Sequence, residues 1–194
     1  FTCSDIGVVD VFLGLTDQSV NMGSCTAKVT VVDNSLPQAV CQDITVQLPA
    51  SGPGGALIAI TPQQLDGGST DNCGITTYSI DRPAVVACAD VSMSPIRVSL
   101  TVSDASGNSS SCMANVTVED KVAPTLSCKD FTIQLDASGK GSLTTSDIST
   151  IAVDNCSIST LTASSTNFDC TSVGVNTVTL TATDPSGNIS TCTS

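Results

Sequence analysis

Ten cysteines and a recurring set of aspartates and asparagines are the side chains here whose type and spacing carry chemistry. Cys3, Cys25, Cys41, Cys73, Cys88, Cys112, Cys128, Cys156, Cys170 and Cys192 are even in number, contain no Cys-x-x-Cys pair, and share the chain with no histidine. That pattern argues against zinc and for disulfides formed in an oxidising compartment. Asp71-Asn72 and Asp154-Asn155 each precede a cysteine, while Asp104 and Asn108, like Asp184 and Asn188, bracket a Ser-Gly pair. Turn chemistry explains these residues simply, because Asp and Asn hydrogen-bond to turn backbone and Gly supplies positive φ. The functional alternative is calcium, a hard cation that takes carboxylate and carbonyl oxygens. For that alternative the candidate ligands are Asp66, Asp71, Asn72, Asp104, Asn108, Asp120, Asp154, Asn155, Asp184 and Asn188. No Asp-x-Asp-x-Asp-Gly series accompanies them, and turn chemistry is the preferred explanation.

Asn108, Asn115, Asn155 and Asn188 also lie in Asn-x-Ser/Thr sequons, which makes them candidate glycosylation sites. Catalysis has little to work with. Without histidine the commonest general base is missing, and so is the usual partner of a Ser or Cys nucleophile. The carboxylates cluster in turns and strand ends, where capping and solubility explain them, so no enzyme is expected.

These residues sit in a sequence that repeats itself every 80 to 87 positions. Cys41-Gln42-Asp43-Ile44-Thr45-Val46-Gln47-Leu48 returns as Cys128-Lys129-Asp130-Phe131-Thr132-Ile133-Gln134-Leu135, and Asp71-Asn72-Cys73 as Asp154-Asn155-Cys156. Asp104-Ala105-Ser106-Gly107-Asn108 ending at Cys112 returns as Asp184-Pro185-Ser186-Gly187-Asn188 ending at Cys192, and Asp17 to Cys25 keeps the same spacing. The expected organisation is the second half of a repeat over 1–36, a complete repeat over 37–121, and a third over 122–194 that lacks its last strand. Short joints ending in Asp and running to Pro37 and Pro124 predict repeats packed end to end as a fairly stiff rod.

Period-two alternation predicts strands through Val11-Leu13-Leu15, Ile44-Val46-Leu48, Ile96-Val98-Leu100-Val102, Val116-Val118, Phe131-Ile133-Leu135 and Val178-Leu180-Ala182. Turn formers separate them: Ser51-Gly52-Pro53-Gly54-Gly55, Asp66-Gly67-Gly68 and Ser138-Gly139-Lys140-Gly141. Short helical turns are expected near Thr61–Leu65 and Thr145–Ile148. The fold class is therefore all-β, tandem immunoglobulin-like β-sandwich domains stapled by disulfides. Small domains with 3% aromatic residues bury limited apolar area and need such staples.

The ordered run from Cys41-Gln42-Asp43 through Asp71-Asn72-Cys73 and Asp104–Cys112 to Val116-Thr117-Val118-Glu119-Asp120 and Pro124–Cys128 resembles the HYR-like, immunoglobulin-like repeats of Bacteroidota secreted surface proteins, gliding-motility adhesins included. The resemblance covers essentially the whole chain and implies surface adhesion or fibre building without naming a ligand. The first copy departs from the pattern at Val20, in place of the turn glycine, and at Gln38-Ala39-Val40, which predicts a distorted hairpin.

Four cysteines per repeat permit three connectivities. The strand order favours nested pairs, first with fourth (Cys41 with Cys112, Cys128 with Cys192) and second with third (Cys73 with Cys88, Cys156 with Cys170). Cys3 and Cys25 hold third and fourth positions whose usual partners lie upstream.

Six basic against eighteen acidic side chains give a net charge of -12, a field that repels phosphate backbones, so nucleic acid is not an expected partner. No apolar run approaches the roughly 20 residues that span a bilayer. Phe1-Thr2-Cys3-Ser4-Asp5 lacks the basic start of a signal peptide, which leaves a removed leader or an interior piece of a longer secreted protein. The expectation is an extracellular or cell-surface structural segment of a bacterial adhesin or filament, with neighbouring copies or adjacent repeats as partners. Two assembly routes are open: strand donation, in which Thr26–Val32 of one chain supplies the kind of strand that the third repeat lacks after Cys192 of another, or a continuous array of which 1–194 is a window. The alternative is a glycan- or protein-binding module, for which Tyr78 with Arg82 is the local candidate.

Overall fold

Strands dominate the computed structural model, which describes residues 1–50, 57–82 and 85–194. The expected turn at 51–55 lies outside the described residues. Residues 1–36 hold β1 (Gly7–Thr16) and β2 (Met22–Val31). The middle repeat holds β3 (Ile44–Gln47), β4 (Ile58–Ala59), β5 (Ile75–Ile80), β6 (Val85–Val86), β7 (Ile96–Asp104) and β8 (Ser109–Glu119). The third holds β9 (Thr125–Cys128), β10 (Lys140–Ser142), β11 (Ser149–Val153), β12 (Thr160–Ala163), β13 (Asn167–Asp169), β14 (Thr179–Thr183) and β15 (Ile189–Thr193). Both expected helical turns form, at Pro62–Gln64 and Thr145–Ile148. Each is closed by a side chain three residues on: Gln64 Oε1 accepts from Thr61 N at 2.8 Å and Asp147 Oδ2 from Thr144 N at 2.7 Å.

The chain folds as two compact units. The first comprises Phe1–Asp43, Thr61–Arg82 and Arg97–Ala114; the second Ile44–Ile60, Pro83–Ile96 and Asn115–Ser194. In the first, β1 and β2 form a ten-residue antiparallel ladder from Gly7↔Val31 to Thr16↔Met22, and β5 pairs antiparallel with β7. β7 turns into β8 at Asp104–Asn108, so Leu100 and Val102 point inward and are fully buried while Thr101 and Ser103 alternate outward. In the second unit β8 takes β3 as a parallel neighbour, Ile44↔Val116 to Gln47↔Glu119, and buries Val116 and Val118.

The third repeat is a sandwich. Its β9–β11 sheet faces its β12–β14–β15 sheet, and Leu126 of β9 and Leu161 of β12 pack on a core of Leu143, Ile148, Val178 and Leu180. The Cys128–Cys192 disulfide crosses from β9 to β15 through that core, as a staple between the two sheets of an immunoglobulin-like sandwich. Such a bridge contributes about 2 to 4 kcal/mol.

Three expectations change. Phe131–Leu135 is not a strand, although its counterpart Ile44–Gln47 is. Alternation alone does not hold a strand; β3 is held by its ladder with Val116–Glu119 of β8, and Phe131–Leu135 makes no such ladder among the described residues. A cleft of about 600 Å³ lies beside this segment, bordered by Phe131, Ile133, Leu135, Val178 and Ser194. Leu13 and Leu15, at the places of buried Leu100 and Val102, are 56% and 64% exposed, because β1 pairs with β2 alone and no second sheet covers this face among the described residues. The Val20 hairpin keeps its register, with Val20 itself in the left-handed region at φ 67°, where its counterparts Gly107 and Gly187 lie at 90° and 88°.

Candidate metal centres and disulfides at the repeat joints

Each joint brings together three carboxylates from three separate stretches of chain. Asp33, Asp71 and Asp104 form one trio, and Asp120, Asp154 and Asp184 the other, each offering oxygens that lie within 4.8 Å of one another. The members correspond one to one: the aspartate closing a joint, the aspartate of Asp-Asn-Cys, and the aspartate opening the β7–β8 or β14–β15 turn.

In the second trio the side chains are 2 to 6% exposed. Asp184 is gripped by Asn188, whose backbone N donates to Oδ1 at 2.8 Å and whose Nδ2 donates to Oδ2 at 2.7 Å. Asp154 Oδ2 accepts from the amides of Cys156 and Ser157 at 2.9 and 3.1 Å. Asp120 Oδ1 accepts from Val122 N and Asn155 Nδ2, both at 3.1 Å. The first trio repeats this network. Asn108 holds Asp104 at 2.8 and 2.7 Å, Cys73 N and Gly74 N hold Asp71 Oδ2 at 2.8 and 3.0 Å, and Ser35 N holds Asp33 Oδ1 at 3.0 Å. Asn72 Nδ2 reaches Asp33 Oδ1 at 3.3 Å; turned over, the same amide would reach Asp71 at 3.2 Å.

On Asp33, Asp120 and Asp154 the donors fall on one oxygen and leave the other bare. Asp33 Oδ2, Asp120 Oδ2, Asp154 Oδ1 and Asn155 Oδ1 are buried with no hydrogen-bond partner. A buried acceptor without a donor costs about 1 to 3 kcal/mol, more when charged, and packing three carboxylates together adds repulsion. A bound cation relieves both. The all-oxygen set, without His or Cys, suits a hard ion such as calcium, whose oxygens lie roughly 2.3 to 2.6 Å from the metal.

The structure thus draws Asp71, Asp104, Asp120, Asp154 and Asp184 together and adds Asp33, which the sequence reading passed over. Asp33 was detectable as the joint counterpart of Asp120. Asp66 stays outside both trios: its Oδ1 accepts from Ser69 N at 2.8 Å in a turn, and the Ser69 hydroxyl, helped by the Ser69 and Gly68 amides, holds its carboxyl below the ordinary range against burial. Asn72, Asn108 and Asn188 act through amide nitrogens as donors; only Asn155 presents an unpaired buried oxygen. Asn108, Asn155 and Asn188 use the very nitrogens a glycan would occupy, so a glycan there would replace a bond to Asp104, Asp120 or Asp184. Asn115 lies in β8 with its side chain half-buried. Tyr78 is half-buried in β5 opposite Val102.

The cysteines follow the same joints. Cys41–Cys112 and Cys128–Cys192 pair first with fourth within a repeat, as expected. The expected Cys73–Cys88 and Cys156–Cys170 bonds do not form; Cys73 bonds Cys3 and Cys156 bonds Cys88. The reason is spatial. The aspartate of each Asp-Asn-Cys turn joins the trio at the joint, and the cysteine two residues on bonds there to Cys3 or Cys88. Cys25 and Cys170 are exposed free thiols.

No family model matches the chain, and no curated protein does. Among solved structures it is similar to the protocadherin GammaB4 extracellular domain, at 13% identity over 96% of this chain and 36% of that one, with a TM-score of 0.41. Mouse clustered PcdhgC3 EC1-3 gives 11% over 98% and 78%, TM-score 0.42; the human desmocollin-1 ectodomain gives 15% over 96% and 43%, TM-score 0.30. The chain spans about a third of the first of these structures. Superpositions this loose leave the fold resting on the chain's own sheets and disulfides, which fit immunoglobulin-like repeats.

Proposed function

We propose that this chain is a structural segment of an extracellular adhesion protein or filament, built from immunoglobulin-like repeats whose joints are locked covalently. The observation that carries this is the pairing of Cys3 with Cys73 and of Cys88 with Cys156, which twice joins the third cysteine of one repeat to the second cysteine of the next. A binding or catalytic module concentrates its special residues at one place. Here they recur identically at two joints, as in a segment that repeats one connection along its length. Four disulfides favour an oxidising, extracellular setting, and no described helix is long and apolar enough to cross a membrane. The sequence resemblance to HYR-like repeats of Bacteroidota surface proteins supports the same role, with repeat borders at 36/37 and 121/122. Adjacent repeats or neighbouring copies are the partners. The cleft beside Phe131–Leu135 is the acceptor that strand donation would use, and Thr26–Val32 has the matching alternation. Immunogold labelling of intact, unpermeabilised source cells tests the role: gold along surface fibres supports it, and label confined to the cell interior sinks it.

Calcium is the cofactor of this reading, one ion at each trio. Asp33, Asp71 and Asp104 would hold the first, and Asp120, Asp154 and Asp184 with Asn155 Oδ1 the second. The ion supplies the positive charge that the orphaned oxygens lack. Titration calorimetry on the full chain should find two ions bound, and one for Asp154→Asn. Absence of binding to the intact chain would remove calcium and leave the disulfide argument standing.

A further inference from the structure

We infer that the cation and the disulfide at each joint are thermodynamically linked, so that calcium hardens Cys88–Cys156 and Cys3–Cys73 against reduction and each disulfide raises calcium affinity at its own trio. The inference rests on the calcium reading above. It comes from the division of labour within one turn. In Asp154-Asn155-Cys156 the first residue gives a carboxylate to the trio, the second donates from Nδ2 to Asp120 Oδ1 at 3.1 Å, and the third carries the disulfide to Cys88. The amide of Cys156 itself holds Asp154 Oδ2 at 2.9 Å, which leaves the unpartnered, buried Oδ1 for the ion. Cys88 Sγ in turn lies 3.7 Å from the carbonyl oxygen of Asn155. The first joint has the same parts: Cys73 N holds Asp71 Oδ2 at 2.8 Å, Cys73 is bonded to Cys3, and Cys3 Sγ lies 3.5 Å from the carbonyl oxygen of Asn72.

An ion at the trio needs the turn in its native form, and the disulfide tethers that turn at the residue whose amide orients the ligand. Reduction releases the tether: two glutathione thiols give up two electrons and two protons, Cys88 and Cys156 become thiols, and glutathione disulfide forms. Assembling the trio then carries the added entropy of ordering a free turn. Reciprocity requires the ion to stabilise the disulfide by the same factor that the disulfide strengthens ion binding. A joint built this way closes fully only where the medium is both oxidising and calcium-rich.

The test uses the full chain with Cys25 and Cys170 alkylated. Calcium affinity is measured by calorimetry on the oxidised protein and on the Cys88→Ser/Cys156→Ser protein. Separately, the oxidised chain is equilibrated in glutathione buffers of graded ratio, with saturating calcium or with chelator, and the Cys88–Cys156 peptide is quantified. Linkage predicts that affinity at the second trio falls about 10-fold in the double variant while the first trio is unchanged. It predicts that the Cys88–Cys156 potential is about 30 mV more negative in calcium, the equivalent of that factor for a two-electron couple. Two ions bound with unchanged affinity, together with a potential indifferent to calcium, overturns the linkage and spares the calcium reading. No ion bound by the oxidised chain overturns both. Should the double variant fail to fold, the glutathione titration of the unmutated chain decides alone.

Discussion

Asn188 Nδ2 donates to the backbone carbonyl of Asp120 at 3.0 Å while it holds the Asp184 carboxylate at 2.7 Å. One amide thereby ties the turn of the third repeat to the residue that closes the second. Asn108 makes the same pair of bonds to Asp33 and Asp104 at 3.0 and 2.7 Å. The Asp-x-x-Gly-Asn turn is both a hairpin turn and a clasp on the joint.

Removing the clasp should cost stability without reference to any glycan. Asn188→Ala leaves the Asp120 carbonyl and a buried carboxylate short of a donor, a loss of about 1 to 3 kcal/mol in urea unfolding. Ser190→Ala destroys the same sequon but keeps the amide, and should change stability by less than about 0.5 kcal/mol. Equal losses in the two variants would mean that the clasp is not what Asn188 contributes.

Acid should act through the same turn. Burial pushes the Asp104 carboxyl up, but the Asn108 side chain and the backbone amides of Asn108, Ser106 and Gly107 pull it down and together prevail, leaving it below the ordinary value of 3.8. A carboxyl that ionises more readily folded than unfolded stabilises the fold fully above 3.8, and that share is lost as pH falls through the lower folded value. Asn108→Ala weakens the pull, so its acid-unfolding midpoint should move to higher pH, as followed by circular dichroism from pH 7 down to 2. A midpoint that stays put or moves down contradicts the assignment.

Val20 occupies a backbone conformation that its glycine counterparts adopt freely. Val20→Gly should therefore raise stability by about 1 kcal/mol, the relief of a left-handed β-branched residue less the added unfolded-state entropy of glycine. The readout is the urea midpoint of the first transition; a lowered midpoint would mean that the valine side chain, 73% exposed, is held by something that compensates its φ.

Much of this was legible in the residues. Alternation marked the strands of β7, β8 and β14, and strand order favoured, among three connectivities, the first-with-fourth bonds that staple Cys41 to Cys112 and Cys128 to Cys192. What failed was the assumption that a repeat is closed on itself. Cys73 and Cys88 are close in sequence, but the turn carrying Cys73 belongs physically to the joint before it, where Asp71 meets Asp33. The same assumption hid Asp33, whose partners lie 38 and 71 positions away. Asp66 was over-read for the opposite reason: a glycine-rich neighbourhood resembles a ligand loop, yet its carboxylate accepts from Ser69 and Gly68 within its own turn. For Phe131–Leu135 the alternation was present and the partner was not, and a strand is a property of the pair.

A covalently locked joint requires particular cysteines to meet. Non-reducing proteolysis with mass mapping of the native protein should yield Cys3–Cys73 and Cys88–Cys156 peptides, alongside Cys41–Cys112 and Cys128–Cys192. Recovery of Cys73–Cys88 or Cys156–Cys170 peptides instead would confine every bond to one repeat and contradict the covalently locked joint.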